Sequence, residues 1–109
     1  DVVGLLVAAQ KVVPAMRAKK RGTILVTGGG LALDPWPQMA SLAAGKAAVR
    51  SLALSLHKEL APSGIHAATV TVTGIVERGG KFDPDKIADV YWELHQQAPG
   101  AFEGERVLR

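Results

Sequence analysis

The stretch Thr23-Ile24-Leu25-Val26-Thr27-Gly28-Gly29-Gly30 decides the fold. Its first five residues are apolar or β-branched, and they lie between Gly22 and three further glycines, which predicts a buried parallel strand. The glycines would allow unusual backbone dihedrals and the close approach of another group. The following loop contains Pro35 and Pro37, which are excluded from a helix interior. We therefore expect the next helix to begin near Pro37 or Gln38.

Apolar residues then recur at steps of three or four, the spacing of one helical face. They are Met39, Leu42, Val49, Ala53, Leu56 and Leu60, and Lys46 lies in the middle of this stripe. A lysine on an apolar face either extends its ammonium to the rim or is held inside for a purpose, because an unpaired buried charge is unfavourable. The pattern alone leaves both interpretations open.

The neighbouring face of this helix carries small residues, namely Ala44, Ala47, Ala48, Ser51 and Ser55. Small side chains would let a second helix approach closely, either within the chain or across a subunit boundary.

The composition limits the classes of protein to which this chain can belong. The chain has 109 residues, 48% of them hydrophobic and 21% charged, which predicts one ordered domain. The net charge is +3, and its main basic cluster, Arg17–Arg21, falls where a helix should end, so these cations would complement the helix dipole. No aromatic residues alternate with them, so we expect no nucleic-acid partner. No apolar run is long enough for a bilayer, and we expect no membrane partner.

Cysteine is absent, which excludes a disulfide scaffold and thiolate zinc sites. This absence fits a reducing compartment, and we predict a cytoplasmic protein. The three histidines show no ligand spacing, so no metal site is expected.

The remaining elements complete an alternating order. We predict a first helix over residues 2–18 that bends or pairs irregularly at Pro14, and a second buried strand over 65–72. Asp83-Pro84 starts a third helix, and residues 105–108 are a weak candidate for a closing strand. Such an order requires parallel strands joined by right-handed crossovers. The fold class is therefore α/β, a Rossmann-like doubly wound parallel sheet.

Ligands of such sheets bind beyond the carboxyl ends of the strands. Two strand ends, at residues 27–30 and at Thr73-Gly74, therefore point to one place, which Lys46 could reach from its helix. Residues 75–82 form either a loop that closes over a ligand or a plain connection.

Several motifs together resemble the C-terminal half of a short-chain dehydrogenase/reductase. They are Gly4 with Pro14 and Met16, the strand from Gly22 to Val26, Lys46-Ala47-Ala48-Val49, the stretch Leu56 to Ile65, and Gly74 after the second strand. The resemblance covers nearly the whole chain. It implies that residues 1–109 are the C-terminal portion of one NAD(P)-binding Rossmann domain, whose phosphate-binding glycine loop would lie before Asp1.

The resemblance also assigns positions to the family's functional residues. Lys46 takes the place of the lysine that contacts the nicotinamide ribose and lowers the pKa of the catalytic tyrosine. Leu42 stands at the tyrosine position, Gly29 at the serine position and Asp1 at the helix asparagine. Leucine and glycine have no titratable group. Cofactor contacts are implied for Lys46, Thr27, Gly28, Thr73, Gly74 and Ile75.

Two functions follow from this resemblance. The first is an NAD- or NADP-dependent oxidoreductase of a small carbonyl or alcohol substrate with a non-standard proton donor, for which Asp34 is one candidate if it is not merely a turn former. The second is an inactive cofactor-binding or oligomerisation subunit. Tyr91 is interpreted as a core residue. A homo-oligomer through helices 1–18 and 38–61 is expected in either case.

Overall fold

The computed structural model describes all residues from 1 to 109. Its helices and strands alternate in the order that the sequence predicts. They are α1 (Val2–Lys19), β1 (Gly22–Gly29), α2 (Ala40–Leu60), β2 (Ile65–Val72), α3 (Pro84–His95) and β3 (Glu105–Leu108). Short 3-10 turns occupy Gly30–Ala32, Pro37–Met39 and Ala61–Ser63.

The three strands form one parallel sheet in the order β1-β2-β3. Gly22 pairs with Ile65, and Thr69 pairs with Glu105, so β2 lies in the centre. All eight residues of β2 are buried, whereas most of β1 is only half-buried because one of its edges is unpaired. These observations confirm the predicted α/β fold with a parallel sheet.

Helices cover both faces of the sheet. Ile24 packs against a cluster formed by α1, α2 and β2, which includes Ala9, Leu56 and Leu60. Its neighbour Leu25 points to the other face and packs against the cluster around Leu94 of α3. Successive strand residues point to opposite faces, so β1 contributes to two apolar layers.

The first strand is longer than predicted, because it continues through Gly28 and Gly29. None of the three glycines has a positive φ, so the expectation of unusual dihedrals is wrong. At Gly28 and Gly30 glycine is favoured instead because β2 and the residue after it leave little room for a side chain. A Cβ at Gly28 would lie 3.2 Å from the Thr69 hydroxyl, and one at Gly30 would lie 3.1 Å from the Cα of Thr73.

The apolar stripe of α2 is buried only in its later part. Met39 and Leu42, which the sequence places on the apolar face, are 43% and 45% exposed, and the buried residues of that face begin at Ala43 and Val49. One 3-10 turn precedes the helix, which explains why the α-helix starts at Ala40 rather than at the prolines. The first helix runs on past Pro14 to Lys19. No helix combines the length and the apolar character needed to cross a bilayer.

Candidate functional site

A cleft of about 590 Å³ lies beyond the carboxyl ends of β1 and β2. Residues from both strand ends line it together with Lys46 of α2. From the predicted site it contains Gly29, Lys46, Thr73, Gly74 and Ile75, and from elsewhere Gly30, Leu31, Leu33, Asp34, Trp36, Met39, Val72 and Arg109.

Lys46 is half-buried, and its aliphatic carbons contact the end of β1. A Cβ at Gly29 would lie 3.9 Å from both Cδ and Cε of this lysine, an ordinary van der Waals contact. No carboxylate lies within 4.0 Å of the Lys46 ammonium, and the side chain makes no hydrogen bond. Its charge is therefore available to a ligand in the cleft.

The two positions that the sequence interpretation pairs with Lys46, 42 and 29, carry no hydroxyl. Leu42 lies one helical turn before Lys46 and is 45% exposed. Gly29 has no side chain, although the 3.9 Å clearance would accommodate a small one. Asp1 lies nearby, since its Oδ2 would be 3.7 Å from a Cβ at Gly45. The side chains at positions 42 and 29 therefore give the lysine no hydroxyl or titratable partner.

The end of β2 offers backbone donors. The backbone N–H and the hydroxyl of Thr73 both donate to the carbonyl of Leu108, at 3.0 and 2.7 Å, which ties this strand end to β3. The backbone N–H groups of Gly74 and Ile75 donate to no group of the chain. The ring of Phe82 occupies the space where a side chain at position 74 would lie, so a glycine is required there.

Thr27 and Gly28 lie apart from this cleft. The hydroxyl of Thr27 is hydrogen-bonded to the hydroxyl of Tyr91 on α3, and both residues line a separate, mainly apolar cavity of about 420 Å³. Gly28 is buried below the hydroxyls of Thr69 and Thr71. The alternation of a strand separates residues 27 and 28 onto opposite faces, and motif spacing alone cannot show this. Tyr91 packs against the Leu94 cluster, as expected of a core residue.

Apolar side chains at the rim of the cleft are a feature that the sequence interpretation missed. Leu33, Trp36, Met39 and Ile75 are 36%, 55%, 43% and 82% exposed. The signal was present in the Pro-rich loop, where Trp36 lies between two prolines and cannot join a helix interior. Asp34, in the same loop, is the one carboxylate among the lining side chains, and it makes no hydrogen bond or ion pair.

The histidines are held by hydrogen bonds far from the cleft. His57 Nδ1 and His66 Nε2 lie 3.1 and 2.7 Å from the carbonyls of Ala67 and Glu103, and His95 Nδ1 lies 2.9 Å from the hydroxyl of Thr23. No group of three or more His, Asp or Glu residues is arranged to hold a metal ion.

Comparison with known proteins gives relatives of one kind. The family model described as short chain dehydrogenase matches residues 1–80. Two very-long-chain 3-oxoacyl-CoA reductases, from Aspergillus niger and Aspergillus terreus, are each 41% identical over 65 residues. That match is 60% of this chain and 19% and 18% of those proteins.

Solved structures of similar fold include members of the same family. A short-chain dehydrogenase from Rhodopseudomonas palustris superimposes with a TM-score of 0.81 at 29% identity, covering 94% of this chain and 45% of that one. A metagenomic short-chain oxidoreductase in complex with NADP gives 0.78 at 29%, covering 93% and 44%. A bulky-bulky ketone specific alcohol dehydrogenase from Comamonas testosteroni gives 0.70 at 21% and covers 91% and 38%, so it supports the fold alone.

The chain thus spans less than half of these solved structures and about a fifth of the curated reductases that it matches. The family match nevertheless covers well over half of its residues and includes both strands and the lysine that form the cleft. This chain therefore belongs to the short-chain dehydrogenase/reductase family.

Proposed function

We propose that the chain forms the nicotinamide-side half of an NAD(P)-dependent oxidoreductase that interconverts a small carbonyl compound and its alcohol. The observation that carries this proposal is the unpaired Lys46, whose aliphatic carbons lie against Gly29 in a cleft that also contains Gly74. The NADP complex of the metagenomic relative supports a nicotinamide dinucleotide as the cofactor. The cofactor is NAD or NADP, and a cytoplasmic location stays a prediction.

The residues present fit such a cofactor. Lys46 would donate hydrogen bonds to the ribose hydroxyls, which accept them readily from a cation. The free N–H groups of Gly74 and Ile75 would donate to the carboxamide oxygen. The bound nicotinamide would supply or accept the hydride. The chain's own part is to orient the ring and to exclude water from the cleft.

The exposed apolar side chains at the rim of the cleft favour a substrate with an apolar surface. Trp36, Met39 and Ile75 present exposed hydrophobic surface beside the lysine, and such surface marks a binding site more often than a solvated one. We infer an aliphatic or aromatic ketone as the carbonyl compound. The curated relatives are named as 3-oxoacyl-CoA reductases, and a 3-oxoacyl group is an aliphatic ketone, which supports this class.

Reduction of a carbonyl also needs a proton. Leu42 and Gly29 cannot give one, so the donor must be another group within reach. Asp34 is the carboxyl group that lines the cleft, and its side chain is free of intramolecular partners. We assign it as the proton donor of the active enzyme.

A second function is favoured by the same two positions. If no group replaces the missing phenol, the protein would bind the cofactor without transferring hydride, as a cofactor-binding or oligomerisation subunit. The proton-relay positions held by Leu42 and Gly29 are the observation in its favour.

Single-turnover measurements on the full-length protein separate the two functions. NADPH oxidation would be followed by the loss of absorbance of the reduced nicotinamide, against a panel of ketones of increasing apolar size. Oxidation that is lost in Asp34→Asn but kept in the control Asp89→Asn would support the enzyme. NADPH binding without oxidation of any ketone would establish the second function.

A further inference from the structure

A second cleft, of about 560 Å³, lies at the opposite edge of the sheet, where the strands begin. It lies between the end of α1, the starts of β1 and β2, and the segment after α3. Lys19, Lys20 and Arg21 line it, and no aspartate or glutamate does. The concentrated positive charge has no counterpart within the cleft.

These three cations have no partner elsewhere in the chain. The ion pairs of the structure use Arg17, Arg50 and Arg106. The side chains of residues 19–21 form neither an ion pair nor a side-chain hydrogen bond. Three like charges on successive residues repel one another unless an anion lies between them.

Capping of α1 does not require these side chains. The backbone N–H groups of Lys20 and Arg21 donate to the carbonyls of Arg17 and Met16, each at 3.2 Å. Two of the last four carbonyls of the helix are therefore satisfied by the backbone itself. The dipole interaction predicted from the sequence remains, but it acts mainly within the last turn and does not reach Arg21 strongly.

The position of Lys20 argues for a requirement beyond folding. Lys20 has a φ of 56°, and it is the one residue other than glycine with a positive φ. Glycine or asparagine would occupy this left-handed position with less strain. The left-handed turn itself therefore does not call for a lysine, and its charge is free to serve a ligand.

The turns that carry these residues are locked together. Gly64 has a φ of 77°, and a Cβ on it would lie 2.7 Å from the carbonyl oxygen of Lys20. The turn before β1 thus rests directly on the turn before β2. His66 and Phe102 stack nearly parallel, with centroids 4.3 Å apart, and they form a fixed wall of the same cleft.

We propose that this cleft binds a small molecule that carries at least two phosphate charges. Phosphate oxygens would accept hydrogen bonds from Lys19, Lys20 and Arg21, and the guanidinium of arginine fits a phosphate bidentately. The site lies at the other edge of the sheet from Lys46, so it is distinct from the proposed cofactor cleft.

The test is a calorimetric titration of the full-length protein with inorganic tripolyphosphate at fixed ionic strength. The variant Lys19→Ala/Lys20→Gly/Arg21→Ala removes three charges and leaves the left-handed turn unstrained. The control Lys11→Ala/Lys58→Ala/Lys86→Ala removes the same charge from exposed positions. We expect the Kd to rise about tenfold or more in the first variant, as the loss of charge-assisted hydrogen bonds implies, and to stay within about twofold in the control.

A further arm keeps the outcome decisive. Lys46→Ala should leave tripolyphosphate binding unchanged. Equal weakening in the two triple variants, weakening by Lys46→Ala, or no binding by the wild-type protein would overturn the proposal. Binding of an oligonucleotide through the same cations, with no binding of tripolyphosphate, would overturn it as well. Circular dichroism of each variant would verify that the fold is retained.

Discussion

At the scale of single residues, Lys46 combines a packed aliphatic stem with an unpaired ammonium. The stem contacts the end of β1, while the charge faces a cleft without a partner. Such a cation contributes little to folding, because only its methylene groups are buried. Its charge can contribute much more to binding, because a bound polar ligand would pair it.

We therefore predict that Lys46→Ala separates binding from stability. The Kd for NADPH should rise roughly 10- to 100-fold, as expected for a hydrogen bond to a charged group. The free energy of unfolding should fall by less than about 1 kcal/mol. Fluorescence titration and urea unfolding measure the two effects, with Lys58→Ala as the exposed control. Parallel losses of binding and stability would show that the lysine is a packing residue.

Leu42 and Gly29 give a prediction of gained activity. The side chain at position 42 is exposed one turn from Lys46, and position 29 has room for a small side chain. The double variant Leu42→Tyr/Gly29→Ser should therefore fold and place a phenol beside the lysine. We expect single-turnover ketone reduction to increase by at least about 100-fold, the usual range for a positioned general acid.

The double variant Leu42→Phe/Gly29→Ser is the matched control, since it differs only by the phenol hydroxyl. A gain of the same size in this control would attribute the effect to substrate packing rather than to proton transfer. No gain in the double variant, despite intact NADPH binding, would contradict the assigned register.

At the scale of elements, the junction between α1 and β2 depends on Gly64. A Cβ there meets the carbonyl of Lys20, and the residue has a positive φ; Gly79 has a similar φ of 80° but open space around it. Gly79→Ala should cost about 1 kcal/mol from backbone strain alone. Gly64→Ala should cost at least about 2 kcal/mol, because a backbone atom must move as well. Urea unfolding of both variants measures the difference, and equal losses would exclude the steric contribution.

A charged network joins α2, β2 and β3. Arg50 donates to both carboxylate oxygens of Glu105 at 2.7 Å, and the hydroxyl of Thr71 donates to the same carboxylate at 2.8 Å. Hydrogen bonding by Arg50 lowers the pKa of Glu105 below the ordinary value of 4.5, although burial opposes the shift. A carboxylate with a lowered folded-state pKa stabilises the fold above its unfolded-state pKa, and this contribution is lost as the pH falls through the folded-state value.

The network predicts a specific acid sensitivity. The free energy of unfolding of the wild-type protein should decrease as the pH falls below about 4.5, the unfolded-state value. Glu105→Gln should be less stable at neutral pH by about 1–3 kcal/mol and should lack this component of the decrease. Thermal unfolding at several pH values measures it. Glu77→Gln is the exposed control, and an identical pH profile for Glu105→Gln and wild type would contradict the role of the pair.

The elements that the sequence predicted best are those specified by neighbouring residues. The bounds of β2 follow from its β-branched run, and the start of α3 follows from Asp83, whose carboxylate accepts a hydrogen bond from the N–H of Asp85. The Arg50–Glu105 pair joins residues 55 apart in sequence, so no local pattern could reveal it. Exposure of Leu42 was missed because periodicity indicates a face but not where along the helix the covering element ends.

The lining of the candidate cleft was predictable to about the same extent as the helices and strands. The carboxyl-edge rule brought Gly29, Lys46 and Gly74 into one cleft, since it depends only on strand order. It could not separate Thr27, because the assignment of a strand residue to one face depends on register.

At the scale of the whole molecule, the two helices on one face of the sheet leave apolar surface uncovered. Val3, Leu6 and Val7 of α1 are 67%, 43% and 46% exposed, and the small residues Ala47 and Ser51 of α2 are exposed beside them. Such a surface on two neighbouring helices marks an interaction site. Small side chains would allow the helices of a second copy to approach closely.

We therefore predict a homo-oligomer of the full-length protein through α1 and α2. Ala47→Arg/Ser51→Arg should shift sedimentation velocity profiles toward the monomer, because two large charged side chains would replace the small ones that let the helices approach closely. Gln96→Arg/Ala98→Arg, at exposed positions after α3, should sediment as the wild type does. A monomeric wild-type protein at micromolar concentration would instead mean that the exposed faces of α1 and α2 are covered by other segments of the same polypeptide.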